Sequence, residues 1–293
     1  MGKSERGMLE KAANNRQRVV GPVASDQSQG AATSKNVLSG FVCVCVRVPK
    51  SGSASLTAIL KDGFAGRRTF LLPDMLAPDS TFSLLQRYRA GRSRLQNLWR
   101  DHRVLSLAKA CEKITREAAD GDLIDGGHID FLRTQSRIHR RLKMITILRD
   151  PAARALSDYN YSRQGYFKKP WFNRFDAGIL PKAAARYSFE GYLDFLTEHG
   201  GHYGNLASRY VGWNGFDDLA LFFRRNVFHA GVLEKQQRFA QRLSEKLGRR
   251  LAFPHENRTG TVTALKITAA ERAKIERLYA RDFVLYDWMR DRL

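Results

Sequence analysis

One stretch constrains the fold more than any other: Phe41-Val-Cys-Val-Cys-Val-Arg-Val-Pro-Lys-Ser-Gly-Ser-Ala-Ser-Leu56. Phe41 to Val46 is an unbroken apolar run rich in β-branched residues. Such a run suits a strand buried on both faces, as in a parallel sheet covered by helices. Pro49 has no N–H to give and ends the ladder. Lys50-Ser51-Gly52-Ser53-Ala54-Ser55 is small and flexible apart from its lysine. Leu56, Ile59 and Leu60 follow at helical spacing, with Gly63 as the expected C-cap. Strand, small-residue loop and helix together aim backbone N–H groups and a helix N-terminus at an anion, and Lys50 adds a full positive charge there. The lysine precedes the loop, so this is not the Gly-x-x-x-x-Gly-Lys-Ser/Thr phosphate loop. On these residues alone, an anion site and an ordinary turn with a solvated lysine both stay open.

A second anchor is Lys143-Met-Ile-Thr-Ile-Leu-Arg-Asp-Pro-Ala-Ala-Arg-Ala-Leu-Ser-Asp-Tyr-Asn-Tyr-Ser-Arg163. Met144 to Leu148 reads as another buried strand. Asp150 suits an N-cap and Pro151 a first helical residue, and the helix runs on through Leu156 and Tyr159. Between the anchors, 84–103 is helical in pattern and heavily basic, and Leu105 to Ala119 reads as an amphipathic helix. A short strand, Leu123-Ile124, then leads into Gly126-Gly127, with His128 just beyond. Histidine is the side chain suited to accepting a proton near neutral pH, and the two glycines would let backbone approach a ligand. A structural histidine is the alternative.

Downstream, 163–176 interleaves Lys and Arg with Tyr, Phe and Trp, and Pro170 argues for a loop. That segment is the candidate acceptor loop; its alternative is a loop pinned to the core by its aromatics. Ser188 caps a helix ended by Gly200-Gly201. His199 and His202 show no third ligand at metal spacing and read as surface or packing residues. Asn226 to Val232 is an expected strand and Leu233 to Leu247 an amphipathic helix. Thr268-Ala-Ala-Glu271 is a capping box opening one helix through Tyr279 and Phe283.

The formal net charge is +21, a field that attracts nucleic acid, anionic membrane or acidic glycan without choosing among them. Residues 1–36, poor in apolar residues and lacking aromatics, read as a disordered basic tail. The six bases of that tail against its three acids account for +3, leaving +18 on residues 37–293, read as one domain. Cys43 and Cys45 share one face of the first strand and read as reduced core residues. No run suggests a signal peptide or a membrane span, so the chain is expected to be soluble and cytoplasmic.

Taken in order, Pro49-Lys50-Ser51-Gly52-Ser53-x-Ser55, Gly127-His128, Arg149-Asp-Pro…Ser157, Asn205-Leu-x-x-Arg209-Tyr210 and the terminal Tyr279-x-x-Asp282-Phe-x-x-Tyr286 resemble the sulfotransferases that use 3′-phosphoadenosine 5′-phosphosulfate (PAPS). They are nearest the heparan sulfate 2-O-sulfotransferase-like group. The resemblance implies an α/β three-layer sandwich with a central parallel sheet, a P-loop-like sulfotransferase fold related to nucleotide kinases. It implies PAPS as sulfuryl donor and in-line transfer to a hydroxyl acceptor, a carbohydrate. Lys50 and the loop dipoles supply the positive charge, so no metal is expected. The net charge suits an anionic saccharide, with a lipid-linked saccharide or a small metabolite left open, and contact with anionic membrane; no nucleic acid is expected. His128 is then the base and Lys50 the group that stabilises the departing phosphate. Ser51, Gly52, Ser53, Ala54 and Ser55 hold the 5′-phosphosulfate, Arg149 and Ser157 the 3′-phosphate, and Arg258, Thr259 and Gly260 close over it. The group has Thr where this chain has Ala54, and one hydrogen bond to a charged group amounts to about 1.5–3 kcal/mol. Two other classes remain: a P-loop nucleotide phosphotransferase, disfavoured by the missing Gly-Lys-Ser/Thr, and a basic nucleic-acid-binding protein, which shows no zinc-finger spacing or aromatic RNA-binding motif.

Overall fold

The computed structural model describes residues 37–72, 107–199, 203–253 and 266–292. The tail expected over 1–36, the basic stretch 84–103, His202, the Gly200-Gly201 stop and the Arg258-Thr259-Gly260 loop lie outside the described residues. Five strands form one sheet: β1 (Val42–Val46), β2 (Thr69–Leu71), β3 (Leu123–Asp125), β4 (Leu142–Leu148) and β5 (Val227–Val232). Their order is β2-β3-β1-β4-β5 and every pairing is parallel. β1 therefore lies at the centre, as its all-apolar run requires. The chain leaves β1 toward β2 on one side and leaves β4 toward β5 on the other. Connections diverge at the β1–β4 boundary, the switch point where open parallel sheets form a crevice at their C-terminal edge.

Period-two alternation sorts β1 into two cores. Val42, Val44 and Val46 pack with Ile124, Met144 and the helical residues 107–117, and with Phe222, Leu285 and Met289. Cys43 and Cys45 face the other side, against Leu56, Ile59, Leu60, Ile145, Phe239 and Leu243. The result is an α/β three-layer sandwich with helices on both faces. Thr146, buried in β4, donates its hydroxyl to the Val46 carbonyl at 2.9 Å and ties the two central strands together beyond the ladder. All three cysteines are buried and free, and burial raises their thiol pKa values.

The helices are α1 (Ser53–Gly63), α2 (Phe131–Arg137), α3 (Pro151–Lys168), α4 (Ile179–Arg186), α5 (Phe189–Glu198), α6 (Leu206–Val211), α7 (Leu219–Asn226), α8 (Gln236–Leu247), α9 (Ala269–Leu278) and α10 (Ala280–Arg292). The expected caps form. Asp150 accepts from the Ala153 amide, Ser188 from Gly191, and Thr268 and Glu271 make both bonds of the capping box. Three local expectations change. Gly63 is the last residue of α1, not its cap; a side chain there would meet Leu247 at 2.9 Å, so packing selects the glycine. Gly126 likewise makes room for Ile129. The single C-terminal helix breaks at Tyr279 into α9 and α10.

That break turns Asp282 into the interior. Asp282 is fully buried, and its carboxylate accepts from the Ala207 amide (3.0 Å), the Ser208 amide (2.8 Å) and the Ser208 hydroxyl (2.8 Å). It also pairs with Arg154 of α3 at 3.3 Å, and the Arg154 guanidinium lies over the Tyr279 ring. The carboxylate thus serves as the N-terminal cap of α6 while holding α3 and α10 together. Among the described residues no helix is long and apolar enough to cross a membrane. Replacing Asp282 by Ala would leave Arg154 buried without its partner and is expected to destabilise the fold by about 3–5 kcal/mol. Asp282→Asn, which retains an acceptor for the α6 amides, should cost less. Urea denaturation of both variants measures this, and an unchanged midpoint for Asp282→Ala would refute it.

Candidate functional site

The loop between β1 and α1 sits at the switch point. Lys50 adopts a left-handed backbone, φ 65°, unusual for a residue with a side chain. Contacts on both sides hold it there. Its carbonyl accepts from the Arg149 guanidinium at 3.4 Å, and its ammonium lies 3.6 Å from the centre of the Tyr161 ring on α3. Gly52 begins α1 with φ 78°, and a Cβ there would meet Leu233 at 2.8 Å. No side chain caps α1 and no acidic residue occupies its first turn, so the helix's own residues do not neutralise its positive end. Ser53 donates its hydroxyl to the Val48 carbonyl at 3.2 Å, committing it to the turn. Ser51 is 1% exposed and its hydroxyl has no hydrogen-bond partner among the described residues. A buried hydroxyl without a partner costs free energy that a ligand oxygen would recover.

Burial lowers the Lys50 pKa, the neighbouring Arg149 lowers it further, and Asp158 opposes both. Asp158 is itself pushed up by burial, against the pull of Arg154, the Tyr192 hydroxyl at 3.0 Å, and Lys50. The fold therefore disfavours the charged ammonium, and an anion bound beside it would favour it again.

His128 lies beyond the end of β3. Its Nδ1 sits 2.8 Å from the Arg47 carbonyl. A carbonyl only accepts, so Nδ1 carries the proton and the neutral ring has its lone pair on Nε2. The Arg47 side chain bridges outward, 3.4 Å from the Asp125 carboxylate and 3.4 Å from the Thr57 hydroxyl. Asp125 also receives the Gly127 amide at 3.5 Å. Tyr210 of α6 sets its ring edge-on to the imidazole, with centroids 6.3 Å apart.

Of the residues named from sequence, Lys50, Arg149 and the 51–55 loop come together. His128 anchors to the same strand end, on a carbonyl three residues before Lys50. Ser157 is half-buried on α3, one turn before Tyr161 and therefore on the face that meets Lys50. Ala54 is exposed in the first turn of α1. The segment expected as a loop over 163–176 is different: α3 runs to Lys168, and Trp171–Asp176 forms a 3-10 turn after Pro170. Proline there starts the short helix, because it occupies a position whose N–H would have no partner. His199 stacks on Phe195 at 4.2 Å and bonds its carbonyl, a packing role. Among the described residues no three metal-ligating side chains lie together.

Two site residues were not singled out from sequence, while Tyr210 was named in the Asn205-Leu-x-x-Arg209-Tyr210 resemblance without a role. Tyr161 had a signal, since it lies four residues after Ser157 on the same helix face. Asp158 had none, because only packing brings it beside Lys50. A separate cleft of about 490 Å³, lined by Tyr159, Asn160, Arg163, Arg186 and Tyr187, lies on the opposite face of α3 and does not include Lys50.

Gly52→Ala should destabilise the chain by about 1–2 kcal/mol for the left-handed backbone alone, with a further loss from overlap with Leu233. In a Leu233→Ala background the penalty should shrink but persist. A double-mutant cycle by chemical denaturation separates the two parts, and an additive cycle would exclude the contact.

No protein-family model matches the chain, and no curated protein matches its sequence. Among solved structures it is similar to mouse sulfotransferase SULT7A1 complexed with PAP, at 12% identity and a TM-score of 0.40, over 86% of this chain and 69% of that one. A likeness at that level says nothing of activity.

Proposed function

We propose that the protein is a sulfotransferase that moves the sulfuryl group of PAPS to the hydroxyl of a saccharide acceptor. The observation that carries this reading is the convergence at the β1–β4 switch point. An uncapped helix N-terminus, a buried orphan hydroxyl on Ser51, the Lys50 ammonium and the Arg149 guanidinium surround one loop. That donor set fits a nucleotide carrying two separate anionic groups. Amides and an ammonium suit a phosphosulfate, and a guanidinium fork with a hydroxyl suits a second phosphate.

PAPS, when bound, supplies an activated sulfuryl group on a 5′-phosphate that departs. The residues do the rest. Lys50 and the amides of 51–55 balance the negative charge that grows on the departing phosphate. Arg149 and Ser157 bind the 3′-phosphate and select the nucleotide. Arg258, Thr259 and Gly260 are assigned to the same phosphate. The Nε2 atom of His128 accepts the proton of the acceptor hydroxyl. Its Nδ1–H stays on the Arg47 carbonyl, which orients the ring and favours the imidazolium that forms. This is positioning plus electrostatics, and the charge it needs is present without a metal. The basic surface suits an anionic or lipid-linked saccharide.

Calorimetry with 3′-phosphoadenosine 5′-phosphate tests the donor site, with 5′-AMP and ATP as controls. The wild type should select the 3′-phosphorylated nucleotide. Arg149→Ala should weaken that ligand by roughly ten- to a hundredfold, as expected for loss of a charge-assisted hydrogen bond, while leaving 5′-AMP nearly unchanged. Tighter binding of ATP, or binding of none of the three, would overturn the reading. With labelled PAPS and anionic saccharides, Lys50→Ala and His128→Ala should lose transfer by on the order of a hundredfold or more. His128→Ala should keep its nucleotide affinity. Full activity in either variant removes that residue from the mechanism.

A further inference from the structure

Exposed apolar side chains concentrate in one stretch of the chain. Among the described residues, seven of the twelve exposed large hydrophobic side chains fall between 161 and 187. Trp171 is 80% exposed and Phe175 78%, and Phe172 sets its ring against Trp171 with centroids 5.9 Å apart. They project from the 3-10 turn between α3 and α4. Soluble surfaces rarely gather so much apolar area at one point without a partner.

The charge around these rings is one-sided. Between 161 and 187 the sequence holds six bases, Arg163, Lys168, Lys169, Arg174, Lys182 and Arg186, against one acid. Several bases lean on the aromatic segment itself. The Arg174 guanidinium lies 5.5 Å from the Phe167 ring centre and 5.6 Å from Tyr166, and Arg163 lies 5.5 Å from Phe167. Lys182 donates to the Phe175 carbonyl at 2.6 Å. Trp and Phe at the tip with Lys and Arg behind is the composition that sits at the boundary between lipid headgroups and acyl chains. Convex rings with most of their surface uncovered suit immersion better than a stacked sugar, which covers one face.

We propose that residues 161–187 form a docking surface for an anionic lipid bilayer, with Trp171, Phe172 and Phe175 entering the interface and the surrounding bases meeting acidic headgroups. Tyr161 belongs both to this surface and to the Lys50 contact, so docking would bring the β1–α1 loop close to the lipid plane. The proposal does not depend on what the loop binds.

Vesicle co-sedimentation of the full chain tests it, with phosphatidylcholine alone and with about 30 mol% phosphatidylserine added to represent an acidic leaflet. The wild type should pellet with the acidic vesicles and not with the neutral ones. Trp171→Ala/Phe175→Ala should weaken that binding by about tenfold or more, because the apolar part of the anchor is gone. Phe216→Ala, an equally bare aromatic (93% exposed) elsewhere on the surface, should bind like wild type. Both rings are exposed, so the double variant should melt at the wild-type temperature. Equal binding by wild type and double variant, equal loss in Phe216→Ala, or pelleting without vesicles through self-association would each overturn the proposal. Binding of 3′-phosphoadenosine 5′-phosphate, measured alongside, reports separately on the donor site.

Discussion

The parallel pairing of β1 with β4 is the constraint on which the rest of the molecule depends. It sets Val46 beside Thr146, so the two strands end together and release their following residues at one edge. From one strand end comes Lys50, from the other Arg149, and the arginine reaches back to the lysine's carbonyl. Both strands are largely apolar, because each is covered by a helix layer on both sides, and the buried Thr146 hydroxyl is spent on the Val46 carbonyl. The chemistry is therefore displaced to the ends, where backbone amides are no longer used by the ladder.

Positive charge is concentrated at that edge without a carboxylate in the first turn of α1 to quench it. Asp158 is the nearest counter-charge to Lys50 and is itself held by Arg154 and Tyr192. The buried Arg154–Asp282 pair continues the line into the body of the protein and ends as the cap of α6, the helix that carries Tyr210 to His128. A chain of polar contacts thus runs from the loop, through α3 and α10, to the histidine. Asp282 accepts from several donors, which makes burial of the charged pair tolerable.

Much of the fold was legible because burial and periodicity speak directly. The Phe41–Val46 and Met144–Leu148 runs form central strands, and the Asp150-Pro151 and Thr268…Glu271 signals start helices where they stand. Misreadings came where a local rule met a tertiary demand. Gly63 looked like a terminator but serves Leu247. The helix expected to run through Tyr279 breaks there, and Asp282 beyond it turns inward to cap α6. Asp158 carried no sequence signal for the same reason, since its partners are distant in the chain.

By itself the sequence determined the α/β class, the strand–loop–helix around Lys50, the Arg149-Asp150-Pro151 helix start and the excess of positive charge. Those follow from apolar runs, capping chemistry and composition, all of which act over a few residues. Only the tertiary structure decided that Arg149 meets the Lys50 loop, that the His128 Nδ1 meets the Arg47 carbonyl, and that Trp171 and Phe175 stand in the open instead of packing. Each of those depends on contacts between residues far apart in the chain, where strand order and helix packing, not local preference, set the distances.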